Sequence, residues 1–286
     1  MPALKQRQSL RIRDKELIFG SRTFIMGIVN VTPDSFSGDG ILEVDGAVSL
    51  ALKQVSEGAD IVDIGGQSTR PGHVRIDEET EMQRVLPVIA NLRRQSDVLI
   101  SVDTYSAAVA EHALKAGADI VNSIWGLNHQ LADVIKQKRP PIVIMHNKSE
   151  PIYPDGVVKE VVDVLKKDAE MAMAAGLARE EIILDPGIGF GKTADQNLEV
   201  MKFLQKIVAL GFPTLIGTSR KSTIGKLTGR AVEERAFGTA ASVALSVAAG
   251  VDIMRVHDVR AMTDAVRVSD AIVRGWRPGN WEAAGC

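Results

Sequence analysis

The chain has 286 residues, 45% apolar and 24% charged, with a net charge of −2, an ordinary globular composition long enough for a large core. That charge balance offers no bulk attraction for nucleic acid or an acidic membrane, no apolar run approaches the ~18 residues of a membrane span, and the polar N-terminus lacks a signal-peptide core. The single cysteine, Cys286, excludes an internal disulfide and a cysteine metal cluster, and it fits a reducing cytoplasm. Leu10 and Ile12, then Leu17, Ile18 and Phe19 with Gly20 behind them, predict a hairpin within residues 1–22, suited to plugging the N-terminal mouth of a barrel. From residue 23 onward, strand and helix patterns alternate. Runs of Ile, Val and Leu predict strands at 23–29, 61–64, 98–102, 120–122, 141–145, 182–184, 214–217 and 253–256. They lack alternation, as strands covered on both faces do.

Apolar stripes at helical spacing lie between these strands. Met82, Val85, Leu86, Ile89 and Leu92 form one; Val158, Val161, Val162, Leu165 and Ala169 another; Met262, Ala265, Val266 and Ile272 a third. Three joints repeat one pattern: Gly58-Ala-Asp-Ile-Val-Asp63, Gly117-Ala-Asp-Ile-Val-Asn122 and Gly250-Val-Asp-Ile-Met-Arg255. Each reads as a helix-ending Gly, a turn, a short apolar strand and a polar residue five positions on. The reading is one domain over 1–286: a hairpin at 1–22, a (β/α)8 TIM barrel at 23–275 and a tail at 276–286. A doubly wound open sheet is the alternative, but no GxGxxG follows the first strand.

The predicted strands end at Asn30, Asp63, Asp103, Asn122, His146, Asp185, Ser219 and the pair Arg255 and His257. In a barrel these ends share one face, where an active site forms. Strand ends are often polar for capping alone, but that does not account for all eight. Asp185 opens Asp-Pro-Gly-Ile-Gly-Phe-Gly-Lys192, which lacks phosphate-loop spacing. A buried carboxylate followed by glycines suits a flat ring with paired N–H donors, a contact worth roughly 1.5–3 kcal/mol. Lys221 and Ser222 follow the seventh strand; with Arg255 and His257 they predict a cationic corner for phosphate. An inward Arg255 among Ile253, Met254 and Val256 needs an anionic partner. Two loops rich in Gly, Ser, Thr and Pro, 32–40 and 65–72, predict a cover that excludes water. Asn30 with phosphate oxygens suits Mg²⁺, and no zinc spacing is present.

In order, MGIVNVTPDSFS, GGQSTRPG, SVDTYS, DPGIGFGK, GTSRKSTIGKLTG, AFGTAAS and RVHDV resemble the dihydropteroate synthases over nearly the whole chain. The resemblance implies a homodimeric barrel transferase of folate synthesis. It joins p-aminobenzoate to 6-hydroxymethyl-7,8-dihydropterin pyrophosphate and releases pyrophosphate. It implies Asp103, Asn122, Asp185 and Lys221 around the pterin. Asn30, Arg70, Arg255 and His257 would take the pyrophosphate and its Mg²⁺. Thr69, Pro71, Ser222 and Phe36 would lie near p-aminobenzoate. Departures from the usual pattern fall at Gly38-Asp39, Gln67, Ser123 and Asn147. A pterin enzyme that transfers a methyl group from methyltetrahydrofolate and a non-catalytic paralogue that binds a pterin or a folate-pathway partner are the competing readings; pyrophosphate release that requires p-aminobenzoate separates them.

Overall fold

The computed structural model describes residues 8–31, 40–67, 76–279 and 281–282. Strands β1 (Ser9–Ile12) and β2 (Lys15–Ile18) pair antiparallel as the expected hairpin. Strand and helix then alternate: β3 (Phe24–Asn30), α1 (Gly40–Ser56), β4 (Ile61–Gly65), α2 (Glu78–Gln95), β5 (Leu99–Asp103), α3 (Ala107–Ala116), β6 (Ile120–Ser123), α4 (His129–Lys138), β7 (Ile142–Met145), α5 (Val157–Ala174) and β8 (Ile182–Asp185). Helices α6 (Ala194–Lys202) and α7 (Gln205–Val208), strand β9 (Leu215–Ile216), helices α8 (Ser222–Thr228) and α9 (Ala236–Ala249), strand β10 (Ile253–Val256) and helix α10 (Val259–Val273) follow, with short 3-10 turns at Arg179–Glu181 and Val232–Glu234.

The strands from β3 to β10 pair in parallel in the order β8-β7-β6-β5-β4-β3-β10-β9. A parallel bridge between Leu184 and Thr214 brings β8 to the β9 edge, with Leu184 N donating to Pro213 O at 2.9 Å. The sheet thereby curls into the (β/α)8 barrel that the sequence predicts. No helix among the described residues is long and apolar enough to cross a membrane.

The three repeated joints show why this register holds. Gly58, Gly117 and Gly250 have φ of +107°, +116° and +96°, the left-handed region where a side chain is costly. Two residues later, Asp60, Asp119 and Asp252 each accept a backbone N–H from a neighbouring strand or its entry: Ile25 at 2.9 Å, Ile100 at 2.9 Å and Thr214 at 3.0 Å. Each carboxylate thus fixes where one strand begins against the next.

Side chains alternate along a strand, so one set lines the barrel. Met26, Ile61, Leu99, Ile120, Val143, Ile183, Leu215 and Ile253 form a buried inner cluster. Leu10, Ile12, Leu17 and Phe19 of the hairpin belong to the same cluster, so the hairpin does plug the N-terminal mouth. The other set packs under the helices with Val85, Ile89, Leu92, Leu131, Leu165 and Val247. Two residues beyond the inner apolar layer, the same inward register reaches Asp63, Ser101, Asn122, Met145, Asp185, Gly217 and Arg255. The site therefore lies at the opposite mouth from the hairpin.

Candidate active site

Three of these inward residues come from the repeated joints, and the structure brings them into contact. Arg255 Nε donates to Asp63 Oδ2 at 2.6 Å, and Asn122 Nδ2 donates to the same oxygen at 2.9 Å. Arg255 Nη2 donates to Asp103 Oδ2 at 2.7 Å. The anionic partner that the sequence demanded for Arg255 is therefore first of all a pair of carboxylates on β4 and β5. Sequence register places these groups on one face but does not measure the distance across a barrel. Asp63, seen in the sequence only as a strand end, is the hub: its side chain is fully buried and receives both Arg255 and Asn122.

Charge and burial oppose each other here. Burial raises the Asp103 carboxyl, while Arg255 draws it back down. Burial pulls the Arg255 guanidinium down, but Asp63, Asp103 and Asp185 together hold it up. Asp103 keeps its second oxygen, Oδ1, without a hydrogen-bond partner among the described residues. Asp63 Oδ1 is unpartnered in the same way, so two buried carboxylate acceptors lie beside Arg255. Gly65 lies beside both groups: a Cβ there would make ordinary contacts of 3.4 Å with Asp103 Cβ and 3.8 Å with Asn30 Oδ1.

Asp185 ends β8 and is pushed up to about 6 by burial, against the Gly187 N–H and the nearby lysines that favour its ionised form. Gly187 N donates to Asp185 Oδ1 at 2.7 Å, which ties the carboxylate to its own loop. Asn122, Asp185, Lys221 and Arg255 line one small pocket together with Ile124, Met145, Ile188, Phe190 and Gly217. Its walls are apolar and its edges carry donors and acceptors, the arrangement that holds a flat heterocycle. Lys221 caps the start of α8, and its Nζ stands 4.0 Å from the centre of the Phe190 ring, within cation–π range.

His257 differs from its expected part in a cationic corner. Burial, with Arg255 and Arg220 beside it, lowers its imidazole to about 3, so it is neutral at pH 7. Ser219 Oγ accepts from His257 N at 3.1 Å and lies 3.0 Å from His257 Nδ1. A Ser219 hydroxyl proton directed at Nδ1 would put the ring proton on Nε2 and make His257 a neutral donor. Arg220, adjacent to Lys221, forms a two-point ion pair with Asp258 and ties the loop after β9 to the end of β10.

Asn30 ends β3 half-buried, and Ser222 is exposed at the first position of α8. Phe36, Thr69, Arg70 and Pro71 lie outside the described residues, as do Gly38 and Asp39. The departures at 123 and 147 have local roles: Ser123 Oγ donates to Gly126 O at 2.5 Å, and Asn147 Oδ1 accepts from Lys148 N at 2.7 Å. Sequence reading passed over Lys192, which bonds His146 and two carbonyls of the 187–190 loop; its place at the end of a glycine-rich loop was the available signal.

Among the described residues no cluster of three or more His, Cys, Asp or Glu could hold a metal ion. One amide oxygen, from Asn30, suits a hard cation that keeps waters and takes the remaining ligands from substrate phosphate.

Fold and site together define a pterin-binding barrel enzyme, and the pterin binding enzyme family matches residues 26–257. The dihydropteroate synthase of Bacillus subtilis is 44% identical over 273 residues, 94% of this chain and 95% of that protein. Two solved structures are similar: a Clostridium difficile dihydropteroate synthase in the presence of pteroic acid, 48% identical with a TM-score of 0.87 over 90% of this chain and 98% of that one, and a Xanthomonas albilineans dihydropteroate synthase with 4-aminobenzoic acid, 39% identical with a TM-score of 0.89 over 96% and 100%. The chain belongs to the dihydropteroate synthase family, and it is a transferase.

Proposed function

We propose that this protein makes 7,8-dihydropteroate from 6-hydroxymethyl-7,8-dihydropterin pyrophosphate and p-aminobenzoate by ionisation first and capture second. The observation that carries the reading is the single pocket in which Asn122, Asp185, Lys221 and Arg255 face Ile124, Met145, Ile188 and Phe190. The carboxylates of Asp185 and Asp103 accept the ring's N–H donors, Asn122 and Lys221 supply donors, and the apolar walls hold its faces. The dihydropterin ring is electron-rich and can spread positive charge from its CH₂ as the C–O bond breaks. Negative charge then grows on the departing pyrophosphate.

Arg255 has five N–H donors; the two carboxylates engage Nε and Nη2 and leave donors over for phosphate oxygens. His257, as a neutral donor, and Asn30 complete that side, with Arg70 from the second loop. Asn30 would help hold Mg²⁺, which would supply positive charge against the leaving group. Phe36, Thr69, Pro71 and Ser222 position the arylamine, for which alignment suffices against a cation. A strong general base is not required. A second copy of the chain pairs through the apolar α8–α9 face, and the protein works in the cytoplasm.

The test is pyrophosphate release on mixing the protein with both substrates and Mg²⁺. Release that depends on p-aminobenzoate supports the reading; binding without release overturns it. A normal secondary deuterium isotope effect at the reacting methylene marks ionisation, and its absence would replace ionisation with direct displacement.

A further inference from the structure

The loop after β8 ends in a lysine for which the reaction derived above has no use. Lys192 Nζ donates to Gly187 O at 3.0 Å and to Phe190 O at 3.1 Å, and it lies 2.9 Å from His146 Nδ1. An ammonium has three N–H donors, and these three acceptors use all of them. The loop it grips is held elsewhere too, since Gly189 N donates to Asn197 Oδ1 at 2.8 Å and Tyr153 OH donates to Gly191 O at 2.7 Å, but among the described residues only Lys192 ties the Gly187 and Phe190 carbonyls to His146. Gly187, Gly189 and Gly191 have φ of +67°, +81° and +54°. A Cβ on Gly187 would come 2.0 Å from His146 O, and one on Gly191 would come 2.2 Å from Lys148 O. Backbone therefore runs against backbone along this stretch.

What the loop presents is the pterin pocket. Gly187 holds Asp185 through its N–H, and the Phe190 ring supports Lys221. The two carbonyls that Lys192 grips belong to those same two residues. We propose that Lys192 is a positioning residue: by fixing Gly187 and Phe190 against His146, it sets Asp185 and Lys221 in register for the pterin ring. The inference rests on the pterin reading of the pocket.

Burial pulls the Lys192 ammonium down to about 7 and, with Lys192 beside it, the His146 imidazole down to about 3. Asp185 and Glu160 favour the Lys192 charge, Lys221 opposes it, and Lys148 also faces His146. Near pH 7 the grip survives loss of a proton. An amine keeps two donors for the carbonyls and can accept from His146 once the ring proton sits on Nδ1.

Wild-type protein is first assayed for pyrophosphate release with p-aminobenzoate; no release overturns the pterin reading and this inference with it. With release established, Lys192→Met and Lys192→Gln are compared with wild type in two measurements, the Kd for 6-hydroxymethylpterin and the KM for p-aminobenzoate. The expected result is at least a tenfold weaker pterin Kd in Lys192→Met with the p-aminobenzoate KM within twofold. Lys192→Gln, which keeps two N–H donors, falls between Lys192→Met and wild type. A pterin Kd within twofold of wild type in Lys192→Met overturns the proposal. So does a parallel rise in both constants, which would mean general loosening. Failure of both variants to fold also overturns it, because Lys192 would then hold the barrel rather than the site.

Discussion

Asp185 must be ionised to accept the N–H donors of a neutral ring, yet burial has raised it to about 6. Between the ordinary carboxylate pKa near 4 and about 6, the folded chain keeps a proton that the unfolded chain has released. Asp185 therefore lowers the stability of the unliganded protein as pH rises through that window. A bound pterin selects the ionised form, so the Kd for 6-hydroxymethylpterin should tighten as pH rises from 5 to 7. Asp185→Asn should remove that slope and reduce kcat/KM at least tenfold, the equivalent of a charge-assisted contact of roughly 1.5–3 kcal/mol. A flat wild-type profile would take Asp185 out of the ring contact. Asp63 makes a different kind of prediction. It acts through its partners, because one oxygen of its fully buried carboxylate, Oδ2, receives both Arg255 and Asn122. Removing one partner of a buried pair typically costs about 3–5 kcal/mol. Asp103 still compensates Arg255, which places Asp63→Asn toward the lower end of that range in urea denaturation. A loss below ~1 kcal/mol would mean that Asp103 alone carries the charge.

Among the elements, the hairpin and the barrel mouth occupy opposite ends of one interior. Phe19 of the hairpin's trailing edge is buried and meets Phe24 edge-to-face, with ring centres 5.9 Å apart. Phe19→Ala should cost about 3–5 kcal/mol through the cavity it opens, read from the denaturation midpoint. The pterin Kd should stay within twofold, because a layer of inner apolar residues separates this plug from the pocket. A large change in Kd would show that the two ends are coupled. The same layering explains what could be read in the sequence. Short apolar runs such as Ile142 to Met145 and Ile182 to Leu184 read as strands covered on both faces, and the predicted strands fall within a residue or two of the observed ones. The repeated Gly-x-Asp joints marked the register because a left-handed Gly and a strand-anchoring Asp are local requirements. Contacts across the barrel were not local. That Arg255 reaches Asp63, 192 residues away in the chain, depends on the diameter of a closed sheet. Lys192 gripping His146, 46 residues away, depends on two loops that carry no periodicity. His257 read as a cation because sequence shows the residue type and not its burial.

For the whole molecule, the open question is what covers the far side of α8 and α9. Helix α9, Ala-Phe-Gly-Thr-Ala-Ala-Ser-Val-Ala-Leu-Ser-Val-Ala-Ala, carries no charged residue. A surface helix normally turns charge outward, but α9 turns Phe237, Ala241, Leu245 and Ala248 to solvent on one stripe. Phe237 is 91% exposed and Leu245 68%; Leu227 on α8 adds another exposed apolar side chain at 65%. Beside them an apolar groove runs between α6, α8 and α9, bordered by Met201, Leu204 and Ile224. An apolar face of this extent is costly in water and is a candidate for an interface. A second copy is its simplest occupant, since a two-fold axis lets one stripe cover itself. Ile188 and Lys221 border both this groove and the pterin pocket, so a dimer through this face would lie directly behind the site. Light scattering during gel filtration should give wild type at twice the chain mass of 30.8 kDa. Leu245→Glu, which sets like charges against each other across the axis, should give the single-chain mass while retaining the circular dichroism of the folded barrel. Wild type running at the single-chain mass at tens of micromolar would remove the dimer. An undiminished Leu245→Glu dimer would move the interface off α9, to a face such as α10, where Val268 and Ile272 are exposed.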